Sequence, residues 1–218
     1  MRTTAILLPS LLLAATAGCQ TPSQSLPERA RASVIVGEPE PWREVASTAG
    51  EEAIDGLDAA WARALDEARQ SFRRRMAADG ALLVPGGGLA RAAPAPGPYR
   101  CRVVRLAAGR AGAPAYAAGR ESFCFVGVQD DRLSLTSEVR GARIGGHLWE
   151  TERSDRLIFL GAALPPGAQV APAYGTLPVA DVVGVVERLG EFRYRLVVWI
   201  PGAVQKLAIF ELVAAPRD

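Results

Sequence analysis

The sequence predicts an α+β domain, with one N-terminal amphipathic helix packed on a mainly antiparallel β-sheet or small β-barrel. Three observations carry this. A run of apolar residues at helical spacing fills residues 50–79, short apolar runs recur from 99 to 213, and Gly- and Pro-rich turns separate those runs. The 218 residues suit a single domain.

Before that domain comes an export signal. Arg2 is a short positive start, Ala5 to Ala17 is almost wholly apolar, and Ala15-Thr16-Ala17-Gly18 is small throughout. That order describes a secretory signal over 1–18, and it is too short for a membrane span of about 20 apolar residues. The signal ends on Cys19, and "TAGC" resembles a bacterial lipobox, so Cys19 is the expected lipidation site. The membrane is thus an expected partner through the N-terminal lipid. By resemblance to lipoprotein sorting, Gln20, a residue other than Asp, implies the outer membrane, facing the periplasm. Residues 19–41, ending in "GEPEP", are rich in Pro, Ser, Gln and charge and read as a tether. Within it Val34–Val36 is a short apolar patch able to add an edge strand. The single domain spans 42–218.

The helix is expected over about 50–79. Ile54, Leu57, Trp61, Leu65, Ala68, Phe72 and Met76 recur every three or four residues and share one face. Ser47 and Thr48 are candidate caps, and Gly80 suits the C-terminal end. Glu51, Glu52, Asp55 and Asp58 precede Arg73, Arg74 and Arg75, an order that complements the helix dipole. The stripe is expected to pack on its own domain, burying Trp61 and Phe72.

The β-rich part spans 99–213, with runs at 99–106, 122–128, 132–136, 142–149, 156–160, 179–189, 194–200 and 206–213. Asp130-Asp131 and Gly190-Glu191 sit where hairpin turns belong, the Gly-first pair fitting a type II′ turn. Residues 164–178 form a long loop expected to cover one barrel end. Phe123 and Phe125 alternate with Cys124 and Val126, so that strand is apolar on both faces, and the helix is the expected cover.

Three cysteines divide as one for lipid and two for each other. With Cys19 lipidated, Cys101 and Cys124 remain in an exported chain, which favours one disulfide over two buried thiols. The formal charge of +2 includes Arg2 of the leader, leaving +1, which argues against a nucleic-acid surface. Lys206 is the only lysine; the abundant arginine accompanies abundant Ala, Gly and Pro and reads as a GC-rich coding bias.

No catalytic motif stands out. His147 is the sole histidine, in the glycine-rich stretch "GGHLW", expected as a loop, and no Gly-x-Ser-x-Gly elbow or phosphate loop accompanies it. One histidine and a paired set of cysteines leave no metal site, and no cofactor is expected. Glu187 in "VVERL" and Glu211 in "FELV" lie in apolar runs where a charge needs a partner. Arg188, Arg193 and Arg195 are near, so pairing is the preferred reading over catalysis.

Several stretches together resemble the bacterial Domain of Unknown Function 4893 family. They are "PW" at 41–42, "LDAAWARALDEAR" at 57–69, "GPYRCRVVRL" at 97–106, "FCF" at 123–125, "RLIFLG" at 156–161, "YG" at 174–175, "GVVERLGEFRYRLV" at 184–197 and "FELV" at 210–213. Residues 136–149, "TSEVRGARIGGHLW", depart from the "TGSQR-x-x-G" pattern of such chains. The resemblance implies an exported chain with an acidic-then-basic helix ahead of a β-rich half, and it implies no catalytic residue. The function expected is a non-enzymatic envelope module binding an envelope protein or small ligand. The rivals are a hydrolase using strand carboxylates and an inhibitor-like barrel.

Overall fold

The computed structural model describes residues 40–106, 114–199 and 207–216. Cys19 and the Val34–Val36 patch lie outside them. Helix α1 (Thr48–Asp55) begins where the Ser47 hydroxyl accepts the Gly50 N–H at 3.2 Å. Helix α2 (Leu57–Ala77) follows at once. The sequence predicts one helix here. Two form because Gly56, a poor helix former, interrupts it, although its N–H still reaches the Glu52 carbonyl at 3.0 Å. After α2 the chain reverses at Gly80, whose φ of +51° suits glycine, and enters a 3₁₀ turn over Gly80–Leu83.

Among the described residues nine strands follow: β1 (Gly97–Leu106), β2 (Tyr116–Ala118), β3 (Ser122–Gln129), β4 (Arg132–Ser137), β5 (Ile144–Trp149), β6 (Arg156–Ala163), β7 (Asp181–Arg188), β8 (Arg193–Trp199) and β9 (Leu207–Ala214). Every pairing is antiparallel, and the chain meanders from β3 to β9 between sequence neighbours. β9 then pairs with β1 along Tyr99–Leu106, closing an eight-stranded barrel. The other edge of β1 is shared. β3 takes Gly97–Cys101 and the short β2 takes Val104–Leu106, with the Gly119 N–H donating to the Val103 carbonyl at 2.7 Å between them. Cys101 and Cys124 are joined by a disulfide at this handover, with Cα atoms 5.8 Å apart.

Alternation along the strands separates two cores. Residues facing the barrel interior include Tyr99, Cys101 and Val103 of β1, Phe159 of β6, Leu196 and Val198 of β8 and Phe210 of β9. The next residues along face outward and meet the helices. Leu57, Trp61, Leu65, Ala68 and Met76 pack on Val104, Ile158, Val183, Val185, Val197 and Ile209, with Ile54 and Phe72 partly buried at the edges. Burial of each large side chain contributes roughly 1.5–3 kcal/mol.

Three further expectations change. The helices cover the outer face from β6 round to the later half of β1, so Phe123 and Phe125 on β3 stay 55% and 47% exposed. "GGHLW" is not a loop but part of β5. Its Gly146 faces Gly161 of β6, where a Cβ on Gly146 would meet the β6 backbone and a Cβ on Gly161 would sit 2.6 Å from the Phe159 ring, so the glycine pair allows close strand approach and Gly161 makes room for that ring. The turn at Gly190-Glu191 is not type II′. Gly190 is outside the left-handed region, and the Leu189 and Gly190 N–H groups both close on the Arg193 carbonyl, so Gly190, Glu191 and Phe192 form a wider turn. Asp130 and Asp131 do form a two-residue hairpin, with φ of 50° and 57°. The long loop brings the Tyr174 hydroxyl to 3.0 Å from the Ser47 hydroxyl, at the start of α1.

Candidate functional site

Five charged residues of the strands form one belt. Arg156 of β6 pairs in register with Glu187 of β7, Glu187 with Arg195 of β8, Arg195 with Glu211 of β9, and Glu211 with Arg102 of β1. Charge thus alternates in sign across five neighbouring strands on the barrel's outer face. The helical layer covers the middle of the belt, so these charges need partners.

Each carboxylate is held by two arginines. Arg195 Nε donates to Glu187 Oε2 at 2.6 Å, and Arg156 Nη2 lies 3.5 Å from Glu187 Oε1. Arg195 is fully buried, its guanidinium carbon 4.5 Å from the Trp61 ring centroid. Its Nη1 also donates to the carbonyls of Ala81, Leu82 and Val84 at 2.7–3.2 Å, which pins the chain leaving the 3₁₀ turn. Burial pulls the pKa of Arg195 below its ordinary value, and the Glu187 charge opposes that pull. Glu211 accepts from Arg102 Nε and Arg193 Nε, each at 2.6 Å.

Arg102 Nη1 then reaches Asp79 at 2.8 Å, and the Tyr116 hydroxyl donates to the same carboxylate at 2.7 Å. Burial, with the Asp79 hydrogen bond and charge behind it, pushes Tyr116 up to about 12. Both glutamates therefore pair as their sequence settings suggest, Glu187 with Arg195 and Glu211 with Arg193. Arg188 does not join them; it donates to the Ala90 carbonyl at 2.8 Å. Sequence reasoning missed Arg102, Arg156, Asp79 and Tyr116. The available signal was alternation, since Arg102 stands on the outward parity of "YRCRVVRL" as Glu211 does in "FELV".

Both glutamates of the belt are engaged by internal arginines and its middle is covered by the helical layer, so it has the character of a structural joint. His147 lies on the outward face of β5, its Nε2 buried with no hydrogen-bond partner among the described residues. No nucleophile or carboxylate is bonded to it there. Among the described residues no group of His, Cys, Asp and Glu is placed to hold a metal ion.

The open surface lies elsewhere. At the barrel end where β1 begins and β9 finishes, a cleft of about 650 Å³ is lined by Pro96, Pro98, Tyr99, Phe192, Tyr194 and Pro216, with Glu191 as its only charged side chain among the described residues. The two tyrosine rings meet edge to face with centroids 6.1 Å apart, and the Tyr99 hydroxyl donates to the Ala95 carbonyl at 2.7 Å. Burial, followed by the neighbouring Tyr194, pushes Tyr99 up to about 12. Phe192, 61% exposed, stands on the rim. Pro98 also pairs with Phe125 across β1 and β3, so the exposed phenylalanines continue the apolar surface away from the cleft. None of these cleft residues was singled out from the sequence as a binding group. They are brought together by strand ends 97, 192 and 214, which only barrel closure makes neighbours.

No curated protein and no solved structure matches the chain. The family description "Domain of unknown function (DUF4893)" matches residues 42–212, from the start of the helical segment through nearly all of β9. That match takes in the barrel, the helices and the charge belt, and the chain belongs to the DUF4893 family.

Proposed function

We propose that this chain is a lipid-anchored envelope protein of the outer membrane, whose barrel is a non-enzymatic binding module facing the periplasm. The observation that carries the binding reading is the apolar cleft at Tyr99, Tyr194 and Phe192, flanked by the exposed Phe123 and Phe125. Exposed aromatic surface beside a concave apolar site is the usual mark of a binding region. Export and lipidation rest on the "TAGC" ending of the apolar leader. The rival hydrolase draws no support from Glu187 and Glu211. Both are engaged by arginines on the outer face of the barrel, away from the cleft.

Two experiments test the reading. Cys19→Ser should release the protein from membranes or stall its processing; unchanged fractionation together with an unlipidated wild-type N-terminus would end the anchor proposal. Crosslinking in intact envelopes, compared between wild type and Phe192→Ala, should lose its adducts in the variant if the cleft is the binding site. Hydrolysis of a glycan, peptide or ester by the purified chain, abolished by Glu187→Gln in a folded variant, would replace the module with an enzyme.

A further inference from the structure

We infer that the barrel end bearing the long loop after β6 docks on an anionic phospholipid surface, its apolar tips entering the interface and its arginines meeting the phosphates. The inference rests on the envelope reading, which puts a bilayer within reach, and adds a second membrane contact to the lipid.

Register defines this end. Ser137 at the end of β4 pairs with Ile144 at the start of β5, Ile144 with Ala163 at the end of β6, and Ala162 with Asp181 at the start of β7. The β4–β5 turn over 138–143 and the loop over 164–180 therefore share one end of the barrel. The loop carries no charged residue. On it Val170, Leu177 and Val179 stand 79%, 40% and 93% exposed. Apolar side chains left in water on an uncharged segment can enter a bilayer interface without burying a charge. The loop is also pinned. Arg143 Nη1 donates to the Ala168 carbonyl at 3.4 Å, and the Tyr174 hydroxyl accepts the Ser47 N–H at 3.2 Å. Little order is left to lose on docking.

Charge selects the lipid. Arg140 is exposed with no ion-pair partner among the described residues, and Arg105 donates to the Arg140 and Gly141 carbonyls at 3.5 and 3.0 Å rather than to an acid. The acids bordering these two connections are engaged, Glu138 by Arg143 at 3.0 Å and Asp181 by the Gly175 N–H at 3.0 Å. The opposite end is acidic: its turns expose Asp130, Asp131, Glu150, Glu152 and Glu191, and its Arg153 is held by Asp155 at 2.7 Å. An anionic surface attracts the first end and repels the second. Docking this way turns the Phe192 cleft away from the bilayer.

The lipid anchor permits it. The described chain starts at the acidic end, where Glu40 accepts the Glu152 N–H at 3.0 Å. A stretch the length of residues 20–39 reaches at most about 70 Å. The ten-residue β1 is about 33 Å long, so the chain can pass the barrel to a bilayer at its other end.

The test uses the protein purified from envelopes as the cell processes it. With Cys101 and Cys124 bridged and Cys19 acylated, Val179→Cys offers one thiol to the environment-sensitive label nitrobenzoxadiazole, and Glu191→Cys marks the opposite end. On vesicles of phosphatidylglycerol and phosphatidylcholine in equal parts, the label at 179 should shift to the blue and be quenched by brominated lipid chains, while at 191 it stays in water. On phosphatidylcholine alone the shift should be largely lost, and Arg140→Gln should lower the docked-to-free ratio about fivefold. A label at 179 that stays in water on vesicle-bound protein would overturn the docking and leave the anchor standing. Equal shifts at 179 and 191, or on both lipid mixtures, would overturn it too. A lipid-exposed label at 179 in protein whose peptide map shows Cys19 unacylated would refute the anchor alone. A shift in intact envelopes but on no vesicle would assign this end to a protein partner and refute the bilayer.

Discussion

Arg102 and Glu211, 109 residues apart in sequence, meet at 2.6 Å across the β1–β9 seam that closes the barrel. A slip of one residue in this seam would turn the outward Arg102 into the apolar interior. The pair therefore specifies register where the two ends of the sheet find each other. In a double-mutant cycle with Arg102→Met and Glu211→Gln, urea denaturation should give a coupling energy of about 1–3 kcal/mol. Additive single effects would remove the pair from any part in closure.

Arg195 should be costlier to replace than its partner. Glu187→Gln leaves a buried guanidinium without its counter-charge and should cost about 3–5 kcal/mol. Arg195→Met leaves the Glu187 carboxylate with Arg156 alone, 3.5 Å away, and also frees the carbonyls of Ala81, Leu82 and Val84. Its unfolding midpoint should be the lower of the two. The reverse order would show that the contacts to the 3₁₀ turn contribute nothing.

Trp61 is 2% exposed, wedged between α2 and the barrel wall over Arg195. Trp61→Ala should destabilise by about 3–5 kcal/mol and raise the exposure of Arg195. An unchanged melting temperature would contradict the packing.

Removal of the Cys101–Cys124 bridge should cost about 3 kcal/mol in the chain-entropy model for a loop of this size. Peptide mapping of the oxidised protein should recover the linked pair. The strain on Cys101→Ser/Cys124→Ser should show at the β1 edge, because the bridge crosses where β3 hands over to β2; faster amide exchange at Val103 and Gly119 would report it. Two free thiols in the native oxidised protein would remove the prediction.

Tyr99 and Tyr116 tie stability to alkaline pH. Both titrate near 12 in the fold, above the ordinary value of 10.0. The native state then holds protons that the unfolded chain gives up, so stability is intact below pH 10 and falls as pH rises through about 12. Tyrosinate absorbance should show two late groups ionising together with loss of the native circular dichroism. Tyr99→Phe and Tyr116→Phe should each flatten that alkaline decline. Full ionisation of all tyrosines near pH 10 in a still-folded protein would refute it.

The helix stripe, the short strands and the Asp130-Asp131 hairpin were legible because each is local: periodicity and turn chemistry act over a few residues. The carboxylate–arginine pairing was legible in part, because Glu187 and Arg195 lie in adjacent strands of one hairpin. Arg102, Asp79 and Tyr116 were not, since their partners depend on closure between distant strands. Phe123 and Phe125 misled for a related reason. Their two-sided apolar pattern predicts cover, but which side of a barrel the helices lie on is set by their docking on β6–β9, the later half of β1 and β2, which the pattern of β3 does not record. The cleft was invisible for want of any local pattern, as it is built from strand ends.

The two cores share no residue, one enclosed by the barrel and the other lying between its wall and the helices. The outer one has a timing problem. α1 and α2 precede every strand in the chain, and much of the wall they need belongs to β6, β7, β8 and β9. A nascent chain must therefore carry Leu57, Trp61 and Leu65 unsheltered until its last strands arrive. Such a lag makes the helical segment the natural client of a holding chaperone and the place where aggregation begins. Pulse-labelled exchange during refolding should find the interior amides of β6–β8 protected before those of α2; simultaneous protection would mean the two layers form as one cooperative unit.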